Sequence, residues 1–168
     1  MATPTTLPAA FVSGNVLEAS QLNNLRGAFR VLQVVSVQSS TAVNTTSTSF
    51  ATTGLAATIT PSSTSSKILI FANTPYRLSS NANTAQFTLF RGTVSGTNLG
   101  QGTGAGFGIV YSIGGEFFGT YGTHYLDSPN TTSATTYTLG MKVGAASLTL
   151  SAQRNDDTGG ITLMEISA

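Results

Sequence analysis

The chain predicts an all-β fold, a jelly-roll-type antiparallel β-sandwich, on three observations. From Val31 onward about ten short apolar segments recur at regular spacing between Ser, Gly and Asn clusters. No amphipathic helical stretch separates them, which removes alternating βαβ architectures. The best-patterned segment alternates with period two: Tyr137, Leu139, Met141 and Val143 interleave with Thr138, Gly140, Lys142 and Gly144, as a strand with one wet face requires.

The chain divides into residues 1–30, an N-terminal extended arm with one short docking helix, and residues 31–168, the sandwich. Pro4 and Pro8 bias the residues before them away from helix, so Met1 to Ala10 reads as an extended arm. After a Ser13-Gly14-Asn15 turn the spacing predicts a helix over about Leu17 to Arg30, with Asn15 and Glu18 placed as a capping-box variant. Leu22, Leu25, Phe29 and Leu32 form its apolar stripe, a particle-docking or oligomer seam. A helix this short is marginal alone in water, so the stripe must meet its own sandwich, sister copies or a docking surface.

Strands are predicted at Val31 to Gln38, Ser47 to Thr53, Ala56 to Thr60, Lys67 to Asn73, Ala85 to Arg91, Gly106 to Ser112, Glu116 to Leu126, Thr135 to Val143, Ser147 to Arg154 and Ile161 to Ile166. Ile68 to Phe71 is apolar on both faces and should lie centrally in its sheet. Pro61 to Ser66 and Asn130 to Ser133 read as loops, Leu126 to Asn130 as the turn before the latter, and Asn155 to Gly160 as a hairpin connection. The terminal ITLMEI segment predicts a chain that ends inside its own core.

Composition narrows the function. At 168 residues the chain suits one domain with an appendage. Only 8% of residues are charged, and 28 threonines and 20 serines supply polarity instead. With a net charge of +1 and no run of Lys or Arg, it has no electrostatic footprint for nucleic acid or an anionic membrane. The absence of cysteine excludes a disulfide frame and thiolate metal sites. No basic leader with an apolar stretch behind it opens the chain, and no segment reaches membrane-spanning length.

Catalytic and metal sites find little material. His124 and Asp127 in THYLDSP would fall on opposite faces of a strand, and no G-x-S-x-G elbow accompanies them. Glu116, Asp127 and Glu165 are far apart, while Asp156 and Asp157 are adjacent in a turn without the remaining ligands of a calcium loop. The glycines of Gly100 to Gly108 lack the strand–loop–helix context of a phosphate cradle. We therefore expect no catalytic residue, no metal and no cofactor. In a regular strand Phe117, Tyr121 and Tyr125 share one face and Phe118 takes the other, filling a core or a subunit interface.

Four motifs in order, TPSSTSSKILI from Thr60, YLDSP from Tyr125, TTSATTYTL from Thr131 and ITLMEI from Ile161, resemble a β-sandwich family of tailed-bacteriophage virions, over roughly Val31 to Ala168. FVSGNVLEASQLNNL, Phe11 to Leu25, resembles the opening of phage appendage and fibre proteins, with Glu18 where Thr is usual. The resemblance implies a virion structural protein, a homotrimer with a head of the C1q and tumour-necrosis-factor kind, docked to other virion proteins through residues 1–30. A short tail fibre or fibre tip is the first expectation, and a capsid decoration or cement protein the alternative. A lectin-like or carbohydrate-active module stands behind both. A host-surface glycan or protein would then be met by polar loops carrying Tyr76, Arg77, Asn81, Asn83, Asp127 and Asn130, the adaptable mixture that recognition loops use.

Overall fold

Residues 31–79, 83–100 and 106–167 are described by the structure, a computed structural model. The arm and helix expected over residues 1–30, with Leu22, Leu25 and Phe29, lie outside them, as does Asn81. The strands are β1 Val31–Ser39, β2 Val43–Thr45, β3 Ala51–Ile59, β4 Lys67–Leu78, β5 Asn83–Arg91, β6 Thr97–Asn98, β7 Gly108–Ser112, β8 Phe117–Asp127, β9 Thr135–Val143, β10 Leu150–Ala152 and β11 Gly159–Ile166. One 3-10 turn, Arg154–Asp156, precedes β11.

Register shows that these strands make fewer, longer ribbons. β1 runs along β11, and β2 continues in line with it along β10. β11 and β10 in turn lie end to end along one side of β4, while β8 covers the other side. In the second sheet β6 and β7 lie end to end along β5, with β9 and then β3 beyond it. Two sheets of four ribbons result, β1/β2–β11/β10–β4–β8 and β3–β9–β5–β6/β7. The first ribbon pairs with the last, β3 with β9, β4 with β8 and β5 with β6/β7, which is one long hairpin rolled up from its β5–β6 tip. That is jelly-roll connectivity, and all pairings are antiparallel.

Four details depart from the sequence expectation. The two strands foreseen across 47–60 are a single β3 broken in register between Thr52 and Ala56, where Gly54 takes φ 85°, a bulge only glycine accepts cheaply. β4 continues five residues past Asn73, to Leu78, so Tyr76 and Arg77 are strand residues and not loop residues. Leu32, the expected end of the helical stripe, sits on β1 and is 43% exposed.

Asn155 to Gly160 is no hairpin: β10 and β11 share one side of β4, and residues 153–158 bulge between them. Pro75 explains the bulge. A central strand rarely holds proline because its missing N–H leaves a gap in the ladder. The Gln153 N–H donates to the Pro75 carbonyl at 3.0 Å, so the missing Pro75 donor faces the same neighbour, and that ribbon swings away there. The Gln153 amide fills the space by donating to the Thr74 hydroxyl at 2.8 Å.

The alternating inward side chains make the core. Leu55, Ile59, Ile68, Ile70, Tyr137, Leu139, Ile161 and Leu163 form one cluster. Tyr76, Leu78, Phe87, Met141, Val143, Leu148 and Leu150 form the second, nearer the other end. Val31 and Ile166 share the first end with loops 60–66, 92–96 and 128–134. Loops 46–50, 113–116 and 144–149 lie at the far end, with Leu78 and Asn83.

Candidate functional site

Asp127 was expected on a contact loop, and the structure corrects this. Alternation along β8 turns Tyr121, Thr123, Tyr125 and Asp127 inward, and Asp127 is only 3% exposed. A buried carboxylate must be paired. Arg91, the last residue of β5, donates through Nε at 2.8 Å and Nη2 at 2.5 Å, and the Tyr137 hydroxyl donates at 2.7 Å. The carboxylate hydrogen bond raises the Arg91 guanidinium further above its ordinary range. Burial, reinforced by that neighbouring anion, pushes the Tyr137 phenol far above its own. The cluster ties β5, β8 and β9 together at the first end of the sandwich. His124 projects to the opposite face of β8, so the two residues do not converge, as the spacing predicts.

Glu165 is a second buried acid, fully enclosed at an inward position of β11. Ser62 donates to Oε1 through its backbone N–H at 2.7 Å and its hydroxyl at 2.6 Å, and Gln33 Nε2 donates to Oε2 at 2.6 Å. Burial works to raise this carboxyl, but the hydrogen bonds from Ser62, Gln33 and Ser66 outweigh it and bring it down to about 2. Gln33 also donates to the Thr60 carbonyl, so the acid anchors the 60–66 loop to β1. Among the described residues no group of three or more His, Asp or Glu side chains could hold a metal ion.

The other expected contact residues scatter. Tyr76 is buried, its ring 5.2 Å from that of Phe87. Arg77 pairs with Glu116. Asn83 opens β5 and its Oδ1 accepts the Thr84 N–H at 2.8 Å. Asn130 is exposed in a left-handed conformation, φ 54°, but at the same end as Val31. Of the expected contact residues, Tyr76, Arg77 and Asn83 therefore lie toward one end and Asp127 and Asn130 at the other, and only the former are far from the point where residue 31 enters.

That far end carries the most exposed large apolar side chain among the described residues, which sequence reading missed. Ile113, 88% exposed, stands at the β7–β8 turn that crosses between the sheets, with Tyr111 exposed on β7 in one and Phe117 and Phe118 exposed at the start of β8 in the other. Gly114 and Gly115 follow it at φ 141° and 81° and turn the chain, and the Ser112 hydroxyl donates to the Gly115 carbonyl at 3.3 Å to close it. Arg154 lies over the Phe118 ring at 5.5 Å, and the Arg77–Glu116 pair neutralises the adjacent charge. The signal was present as an isoleucine beside two glycines in a polar turn, a place where burial cannot be the reason for it. Such a tip is suited to contact with an uncharged surface. A shallow cavity on the side of the sandwich, of about 320 Å³, is lined by Phe71, Asn73, Thr123 and His124.

No protein-family model and no curated protein sequence matches the chain.

Proposed function

We propose that the chain is a structural protein of a tailed-phage virion, a trimeric short tail fibre or fibre tip. On this reading residues 1–30 dock it to other virion proteins, and the far end of the sandwich meets the host surface. The observation that carries the reading is polarity: the chain enters the sandwich at Val31, and the exposed Ile113 turn between β7 and β8 stands at the opposite end, with Tyr111 exposed on one sheet and Phe118 on the other. The rolled-hairpin connectivity supports it too, being the architecture of the C1q and tumour-necrosis-factor heads that the sequence resembles. The exposed Tyr111 and Phe118 rings suit stacking on sugar or packing on protein, so the receptor class is a host-surface glycan or protein.

The test replaces Tyr111 and Ile113 with Ser in phage carrying the full chain. Both side chains are exposed, so folding should be unchanged while adsorption to host cells falls by roughly tenfold or more, as loss of anchor residues does. Unchanged adsorption together with weakened capsids would refute the fibre reading and favour a capsid decoration or cement protein.

A further inference from the structure

Gly122 is a glycine the fold does not need. It sits in the middle of β8, where a residue without a side chain weakens the strand. Its backbone is not left-handed, and a Cβ built on it would meet nothing within 4 Å. A strand glycine with neither reason marks a place where something else approaches the backbone closely. Register sets a second glycine near it. Gly160 on β11 and Gly122 on β8 flank Asn73 of β4 in one outward row, which Gln38 of β1 completes. A missing side chain on each side of Asn73 makes a trough across the sheet. The cavity of about 320 Å³ lies over its β4–β8 half, lined by Phe71, Asn73, Gly122 and His124.

The walls of the trough have a definite chemistry. In the neighbouring row Phe71 and His124 are register partners, their rings 6.2 Å apart and inclined at 36°, and Phe71 is 46% exposed. The Asn73 side chain is exposed and, with two N–H donors and a carbonyl acceptor, makes no hydrogen bond among the described residues. Hydroxyls border it: Thr162 is the partner of Phe71 on β11, and Thr120 lies opposite Pro75 on the other side. Neither the Phe71 row nor the Asn73 row holds a lysine, arginine, aspartate or glutamate. A phosphate or carboxylate would find no cation there. A wholly apolar ligand would cover the Asn73 amide and leave it unpaired. A ligand with an apolar C–H face and a rim of hydroxyls satisfies both the ring and the amide, and that is a neutral sugar. From Phe71 to Pro75 is about 13 Å along the strand, and from β11 to β8 about 10 Å across, room for one or two pyranose rings laid flat.

We propose that the Asn73 trough, on the side of the sandwich, is a binding site for a neutral saccharide: Phe71 stacks on the sugar ring, Asn73 and His124 hydrogen-bond its hydroxyls, and Gly122 leaves the room. The site is separate from the Ile113 turn and does not depend on a place in a virion. The test measures binding of the full chain to immobilised neutral, sialylated and sulfated oligosaccharides, then titrates the strongest neutral binder while following backbone amide shifts by NMR. A neutral oligosaccharide should bind and move the amides of Phe71, Asn73, Gly122 and His124. Gly122→Val fills the trough with a strand-forming residue, so it should weaken binding by roughly tenfold or more while the urea midpoint stays unchanged or rises.

Asn73→Ala removes the amide and adds nothing, so it should also weaken binding by roughly tenfold and keeps the test decisive if the valine variant misfolds. Tyr111→Ser with Ile113→Ser, at the far end, should leave saccharide binding unchanged whatever it does to adsorption, so failure of the tip and failure of the trough are read separately. Binding to no neutral saccharide, binding only to sialylated or sulfated ones, or neutral binding unmoved by both Gly122→Val and Asn73→Ala removes the site. Loss of binding on the tip substitution alone would put the sugar at the tip and remove it as well.

Discussion

Glu165→Gln separates the charge of a buried acid from its shape. The wild-type carboxylate accepts two hydrogen bonds from Ser62 and one from Gln33, with a further one from Ser66. Its carboxyl titrates near 2 in the folded chain against 4.5 for the free group. At about 1.36 kcal/mol for each unit, this difference is worth about 3 kcal/mol of stability at neutral pH. A lowered folded value contributes fully above pH 4.5 and is lost as pH falls from there toward 2. In the variant the amide oxygen can still accept from Ser62, but its NH₂ group faces the Gln33 NH₂ group, so two donors meet where donor and acceptor met before.

Urea unfolding should therefore show the variant about 3 kcal/mol less stable at pH 7, with the gap narrowing by about 2 kcal/mol at pH 3. Other carboxylates titrate in both proteins and cancel from the difference. A gap equal at pH 7 and pH 3 would refute the reasoning, because the loss would then come from packing and not from the charge.

Two further substitutions probe the interior. Tyr137→Phe removes one of the three donors to the buried Asp127 carboxylate and should cost about 2 kcal/mol in urea unfolding, and no change would mean that Arg91 alone satisfies the acid. Gly119→Ala places a Cβ 2.8 Å from the Tyr76 hydroxyl and 3.0 Å from its ring, so it should cost about 1–3 kcal/mol. Gly122→Ala, three residues along the same strand with open space around it, should stay within about 0.5 kcal/mol of wild type or gain slightly, and equal losses at both sites would show that the Tyr76 ring does not set the effect.

Period-two alternation is local, and so the strand content was legible: β9 matches Thr135 to Val143 at both ends, and Ile68 to Phe71 does lie in a central strand. The inward direction of Tyr121 and Tyr125 and the outward direction of Phe118 and His124 followed from the same parity. What alternation cannot carry is which strands continue one another. That β10 and β11 form one interrupted ribbon depends on Pro75, nearly eighty residues before the bulge that answers it. The contact residues failed for a related reason. Tyr76 and Asp127 are polar-tipped and sit beside turn-forming residues, which reads as exposure, but their satisfaction comes from distant partners such as Phe87, Arg91 and Tyr137. Local sequence thus determined which residues form strands and which faces those strands present. Only the rolled sheets decided that Asp127 and Glu165 would be enclosed, that Ile113 would stand at the end far from Val31, and that Asn73 would lie between Gly160 and Gly122, because each results from register between segments far apart in the chain.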